Sequence, residues 1–319
     1  MISVILFSLL SFSGDRVPAF NEPQIIRSIE VTTGGPAYFF RPSPDGRYIG
    51  YSLGSSNLLL DTMSNVLLSI PGSYDPVFLL NNRNLVIPQP VRIYNVEDLI
   101  TNQLNATPIL TDRELPGVYE SVAVLSQTET EVNYRIIIEN GAHRSFRDFK
   151  ETLNANGKTE SFEALGPVKI VCTNYRFALP IISKTGREFG GLDHSVGKSR
   201  IYKLNDDGSC EVALELGQVA GKMAFSYDDR YVSFHVFDKS DLANGSYAYG
   251  YIREPTNRTT ANIYLLDRKT KKVFKLSNYV DANAMYPEFL ANGNIMYVVY
   301  PHDRTNFKPK FIEVRPTVY

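Results

Sequence analysis

Hydrophobic positions in this chain alternate in short runs, and tight polar turns interrupt them at close intervals. Two distant segments show the unit. In Phe40-Arg41-Pro42-Ser43-Pro44-Asp45-Gly46-Arg47-Tyr48-Ile49-Gly50-Tyr51, a short apolar run meets a polar turn and then an alternating aromatic and β-branched run. Ala224-Phe225-Ser226-Tyr227-Asp228-Asp229-Arg230-Tyr231-Val232-Ser233-Phe234 repeats it. A period of two marks strands rather than helix. Asp45-Gly46 supplies the positive φ that a hairpin turn requires, and Asp228-Asp229 accommodates it less readily. A second hairpin follows each copy. It runs from Asn57-Leu58-Leu59-Leu60-Asp61 to Val66-Leu67-Leu68-Ser69-Ile70 in the first, and from Ala261-Asn262-Ile263-Tyr264-Leu265-Leu266-Asp267 to Val273-Phe274-Lys275-Leu276 in the second. The unit is therefore four short strands, a to d, joined by hairpins.

Weaker copies fill the gaps. One spans Asp75 to Ile87 and another Pro287 to Val299, while Tyr119 to Ile138 fits more loosely. Val168-Lys169-Ile170-Val171-Cys172, facing Phe177 to Ile182 across Thr173-Asn174-Tyr175-Arg176, reads as strands a and b of a fourth unit. Units recurring at roughly 40–60 residues predict an all-β protein, a β-propeller of about six four-stranded blades. Phe311-Ile312-Glu313-Val314 ends the chain as a third strand without a fourth, and Ile25 to Val31 opens it as an orphan strand. Pairing the two closes the ring and removes exposed edges. Residues 25–319 are thus assigned to one propeller domain, with an N-terminal extension at 14–24.

The copy at Phe40 to Tyr51 resembles the PD40 (WD40-like) repeat of TolB-type periplasmic propellers. The likeness covers nearly all of the chain after Ile25, although the copies at Tyr119 and Val168 depart from the pattern. The resemblance implies a periplasmic or secreted protein that binds a protein partner in the cell envelope, with no cofactor. The α/β domain that precedes the propeller in TolB has no expected counterpart here.

Composition narrows the function. The formal net charge is −1, so no global field recruits nucleic acid or anionic membrane. The apolar run from Ile2 to Phe12 is too short to span a bilayer, which takes about 20 residues. It suits the core of a secretory signal, giving a signal peptide at 1–13, although no Lys or Arg precedes it. The two cysteines are Cys172 and Cys210. With Cys172 on the inner strand of blade four and Cys210 on its outer strand, three strand spacings, about 14 Å, separate them. A disulfide needs Cα atoms within about 7 Å, so no bridge is expected.

Candidate chemistry concentrates in the b–c loops, which share one face of the disc. The expected loops are Glu139 to Arg144 in blade three, Lys184 to His194 in blade four, Asp238 to Arg258 in blade five and His302-Asp303-Arg304 in blade six. Tyr and Arg dominate interface hot spots, so Arg187, His194, Tyr247, Tyr249, Tyr251, Arg253 and Arg304 are the candidate binding residues. The Tyr-rich stretch also suits a glycan. A metal-dependent enzyme acting on polysaccharide is the other alternative: related propellers, the oligogalacturonate lyases, hold a divalent ion on several His of one face, for which His143, His194, His235 and His302 are the available set. No catalytic residues are assigned. The chain has no Gly-x-Ser-x-Gly elbow and no His-Glu-x-x-His, and Gly197-Lys198-Ser199 lacks a glycine at P-loop spacing.

Overall fold

The computed structural model describes residues 20–31, 37–53, 56–72, 76–87, 90–115, 118–140, 143–172, 177–193, 196–216, 219–237, 260–302 and 309–317. Strand β1 (Gln24–Glu30) comes first. Blade one is β2 (Ala37–Pro42), β3 (Tyr48–Leu53), β4 (Ser56–Asp61) and β5 (Val66–Ile70). Blade two is β6 (Val77–Phe78), β7 (Asn84–Ile87), β8 (Val91–Asn95) and β9 (Leu110–Asp112), with the helix α1 (Val96–Asn102) inserted before its last strand. Blade three is β10 (Val118–Gln127), β11 (Glu131–Asn140), β12 (His143–Leu153) and β13 (Thr159–Ile170). Blade four is β14 (Phe177–Ile182), β15 (Glu188–Asp193), β16 (Lys198–Leu204) and β17 (Cys210–Glu215). Blade five is β18 (Met223–Phe225), β19 (Tyr231–Phe237), β20 (Ala261–Asp267) and β21 (Lys272–Lys275); blade six opens with β22 (Ala282–Phe289), β23 (Ile295–Pro301) and β24 (Lys310–Arg315).

Within each blade the strands form an antiparallel meander in sequence order; blades five and six are joined by one parallel pairing, Ala261↔Asn283 between β20 and β22, and β1 pairs with β24 from Gln24↔Arg315 to Glu30↔Lys310. The protein is a six-bladed β-propeller closed by its N-terminal strand, as the repeat predicts. Arg27 on β1 pairs with Glu313 on β24 and donates to the carbonyl of Gly46 in blade one, tying the closing strand across the seam. Contacts begin before residue 25, since Asn21 N donates to the Lys275 carbonyl of blade five at 2.9 Å.

Packing between blades explains why these strands are apolar on both faces. On β23, Ile295, Tyr297 and Val299 join a core with blade five, while Met296, Val298 and Tyr300 join a core with blade one. A blade alone would expose one face of each such strand; the ring buries both, at about 1.5–3 kcal/mol per large side chain.

The turn between strands a and b repeats around the ring. Ser43 Oγ accepts from Tyr48 N at 2.9 Å, Ser183 Oγ from Glu188 N at 3.1 Å, and Ser226 Oγ from Tyr231 N at 2.8 Å. Three residues after each serine, or after Leu79 and Leu290 in blades two and six, the backbone takes positive φ: Gly46, Asn82, Gly186, Asp229 and Gly293. Glycine, Asn and Asp are the residues that tolerate this conformation.

That frame corrects the reading of blade four. Phe177–Ile182 is its inner strand a, and Lys184 to Arg187 is its a–b turn rather than part of a b–c loop. Val168 to Ile170 belongs to strand d of blade three, where Ile170 pairs with Ser145. Two apolar runs flanking a polar tetrapeptide look alike whether the link is a hairpin or a crossing between blades. The Ser183-x-x-Gly186 turn separates the cases.

The cysteine expectation falls with that frame. Cys172 and Cys210 form a disulfide, with Cα atoms 5.1 Å apart. Sheet twist of about 20–25° per strand swings each outer strand far from the channel axis. The end of β13 therefore meets the c–d turn of the next blade, where Cys172 N donates to Gly208 O at 2.8 Å. The bridge joins two blades and does not cross one sheet.

Candidate functional site at the channel mouth

The six inner strands line a central channel, and most of them are bulged. Pairing with strand b slips between Tyr38 and Arg41 in blade one, Tyr119 and Ser121 in blade three, Ala178 and Ile181 in blade four, and Met285 and Glu288 in blade six. A bulge re-aims the side chain that follows it. Arg41, Ser121, Ile181 and Glu288 accordingly line a cavity of about 40 Å³ in the channel, together with Lys184 and Tyr227 from the a–b turns of blades four and five.

Charge is distributed unevenly there. Arg41 Nη1 and Glu288 Oε1 lie 2.7 Å apart, and both side chains are largely buried. The Lys184 ammonium stands 5.3 Å from the centroid of the Tyr227 ring. Burial lowers the Lys184 pKa; Glu288 and Asp229 oppose that shift and Arg41 adds to it. Burial, then the negative charge of Glu288 and Asp45, pushes the Tyr227 hydroxyl upward, so it stays protonated. Asp229 is already engaged: its carboxylate accepts from Lys184 N at 2.8 Å, Thr185 N at 3.2 Å and Thr185 Oγ1 at 2.5 Å. The pocket thus combines one internally neutralised pair with an amine and a phenol.

Blade three shapes the approach. Val124 N donates to Lys184 O at 2.9 Å, so the two inner strands are level there. Blade four turns back at once, whereas β10 runs on to Gln127 before its hairpin. The blade-three hairpin stands about 10 Å proud of the ring at the channel mouth, three residues at about 3.4 Å each. Its face towards blade four forms a groove of about 440 Å³, bordered by Leu125, Asn133, Phe146, Asp148, Leu165 and Lys169.

Arg187 stands at this same end of the channel, which corrects its expected place on a b–c loop. In blades one and five the equivalent arginines pair with the residue set opposite their neighbour: Arg47 with Asp61 at 3.4 Å and Arg230 with Asp267 at 3.0 Å. In blade four that position is Lys203, opposite Glu188. Arg187 is therefore exposed and has no acidic partner among the described residues. His194, Tyr247, Tyr249, Tyr251, Arg253 and Arg304 lie outside the described residues, as does the side chain of His143. His302 is half-buried, with Nε2 enclosed and unpartnered.

His235 is fully enclosed between blades five and six. Its ring meets Phe237 and Tyr286 edge-on, each at 5.6 Å between centroids, and neither nitrogen has a hydrogen-bond partner. Burial drops its pKa to about 3, so the ring is neutral. It serves as a core residue here, not as a member of a loop cluster. Among the described residues no three His, Cys, Asp or Glu side chains gather at metal-binding distance, and no helix is long and apolar enough to cross a membrane.

Arg41, Lys184, Tyr227 and Glu288 were not singled out from the sequence, although a signal was present. Arg41 and Glu288 each stand two residues before the first turn residue, Ser43 or Leu290. Lys184 and Tyr227 each stand one after it, following Ser183 or Ser226. Aligning the turns places all four on the channel.

No family model matches the chain, and no curated protein matches it. Solved structures align with it over most of its length. A Bacteroides thetaiotaomicron protein of unknown function aligns over 92% of this chain and 73% of its own, with a TM-score of 0.50 and 12% identity. A TolB-like protein from Agrobacterium tumefaciens aligns over 89% and 92%, with a TM-score of 0.48 and 12% identity. An oligogalacturonate lyase from Vibrio parahaemolyticus aligns over 94% and 99%, with a TM-score of 0.48 and 11% identity. The fold class is β-propeller; at these identities the likeness carries no activity across.

Proposed function

We propose that this chain is an exported, non-enzymatic propeller that acts as a protein-binding scaffold in the cell envelope. The observation that carries the reading is the a–b end of the channel. There a rigid ring presents the unpaired Arg187, the Lys184–Tyr227 recess and the projecting hairpin of blade three side by side. Binding surfaces are commonly built from loops held by such a scaffold, and arginine and tyrosine are their preferred anchors. Export is supported by the Cys172–Cys210 disulfide, since such bonds persist in oxidising compartments, and by the signal-like run at 1–13.

Site-specific photo-crosslinking in the native cells tests the proposal. A crosslinker replacing Arg187 or Asn133 is expected to trap the same discrete protein adduct. One replacing Met63, an exposed residue on the c–d turn of blade one, is expected to trap none. Absence of any adduct at Arg187 and Asn133, or an equal pattern at all three, sinks the scaffold reading. Thiol trapping of intact cells should find Cys172 and Cys210 oxidised; finding them reduced would count against export.

A further inference from the structure

We propose that the recess formed by Arg41, Lys184, Tyr227 and Glu288 is a receptor for one carboxylate group, carried by a ligand that enters the channel from the a–b end. The inference rests on the binding reading above only for the direction of approach.

Three observations lead to it. The first is size. A cavity of about 40 Å³ exceeds the 10–15 Å³ or so that one water requires. That leaves room for a small polar group such as a carboxylate. The second is unused hydrogen-bonding capacity. Arg41 is committed to Glu288 at 2.7 Å. The nearest other carboxylate, Asp229, already takes three donors from the blade-four turn. The Lys184 ammonium and the Tyr227 hydroxyl have no hydrogen-bond partner among the described residues, and both line the cavity. The third is the placing of charge. Arg41 and Lys184 are matched in number by Glu288 and Asp229, but Glu288 is paired with Arg41 and Asp229 is held by the blade-four turn, so the amine makes no direct ion pair among the described residues. A monoanion can supply that pair, whereas a dianion would face Glu288 with its second charge. Val77, Leu80 and Ile181 add apolar wall beside these polar groups, which lowers the local dielectric and strengthens an ion pair made there.

Binding has a proton signature. Four groups face the Lys184 amine: Arg41 from β2, Glu288 from β22, Tyr227 and Asp229 from the turn after β18. In the empty site burial and Arg41 outweigh the carboxylates and hold the amine below its ordinary range. A carboxylate hydrogen-bonded to Nζ stabilises the charged form and reverses that shift. Above the empty-site pKa, binding therefore takes up a proton, and affinity falls as pH rises.

The test uses the whole protein, with its lysines dimethylated by ¹³C-formaldehyde, which keeps their charge. The Lys184 signal is identified by its loss in K184R. Acetate is the first probe, with sodium chloride at equal ionic strength as control. Acetate is expected to move the Lys184 resonance and raise its titration midpoint, and chloride is expected to do neither. Short peptides then separate the sources of the group: a free C-terminus, an amidated peptide with an internal Glu, and an amidated peptide without one. The last should not bind, and whichever of the first two binds identifies the source. K184M is expected to weaken acetate binding about tenfold or more, the scale of a lost charge-assisted hydrogen bond. Y227F should weaken it less, with both variants melting like the parent. A Lys184 resonance that ignores acetate, or answers chloride equally, overturns the proposal. If acetate binds while crosslinking at Arg187 finds no partner, the receptor site stands and the scaffold fails. The opposite pair of results leaves the scaffold and removes the receptor.

Discussion

His235 gives the sharpest quantitative test of the fold. It is wholly buried between blades five and six, with both ring nitrogens unpartnered and its pKa lowered from 6.5 to about 3. The folded chain therefore carries neutral imidazole at any pH above about 3, while the unfolded chain takes a proton as pH falls through 6.5. The folded-state pKa is the depressed one, so its stabilising contribution is complete above 6.5 and is lost as pH drops towards 3. Below 6.5 the slope approaches about 1.4 kcal/mol per pH unit. Between pH 7 and pH 5 the expected loss from this residue alone is about 2 kcal/mol. Other groups titrate as well, so the measurement is a double difference. Equilibrium urea unfolding of the parent and of H235L is measured at both pH values, and the parent should lose about 2 kcal/mol more than the variant. The absolute stability of H235L does not enter. Equal losses in the two proteins would mean that His235 is protonated or solvated in the native state, and that the packing described for this interface is wrong.

A Cβ on Gly221 would run into Nε2 of His235, so G221A should destabilise by about 1–3 kcal/mol, and H235A should recover part of that loss. Reducing or replacing the Cys172–Cys210 bridge opens a 38-residue span, which loop entropy puts at about 4 kcal/mol; calorimetry of C172S/C210S should show a lower Tm with the fold retained. Glu151 is fully buried between blades two and three and accepts from Tyr134 Oη at 2.7 Å, Asn84 Nδ2 at 2.8 Å and Thr159 Oγ1 at 2.6 Å. E151A orphans these donors and should cost about 3 kcal/mol or more in denaturant unfolding. Removing residues 20–30 strips β1 from β24, and light scattering should then report association through the bared edge.

The strand pattern, the four-strand unit and the closing strand were legible in the sequence because each is a local or periodic property. Alternation along Tyr48–Leu53, the Asp45-Gly46 turn and the matching leftovers at Ile25 and Phe311 need no knowledge of distant contacts. Blade four was misread because Val168 to Cys172 has strand periodicity whichever blade it belongs to. The positive-φ position shared by Gly46, Gly186 and Asp229 would have fixed the frame. The loop faces followed from strand order, so the misplacement of Arg187 is the same one-hairpin error.

What the sequence by itself determined is the class of fold and the way the ring closes, since hydrophobic period and turn chemistry are written residue by residue. Tertiary structure alone decided the rest. Accumulated twist brings Cys172 to Cys210 across a blade boundary, where strand counting within one sheet predicted separation. Ring closure sets Arg41 beside Glu288, 247 positions apart in the chain, and the curvature of the disc gathers Lys184 and Tyr227 to the same recess. Burial turns His235 from a candidate ligand into a neutral core residue. These are consequences of distance and solvent exclusion, which no one-dimensional pattern records.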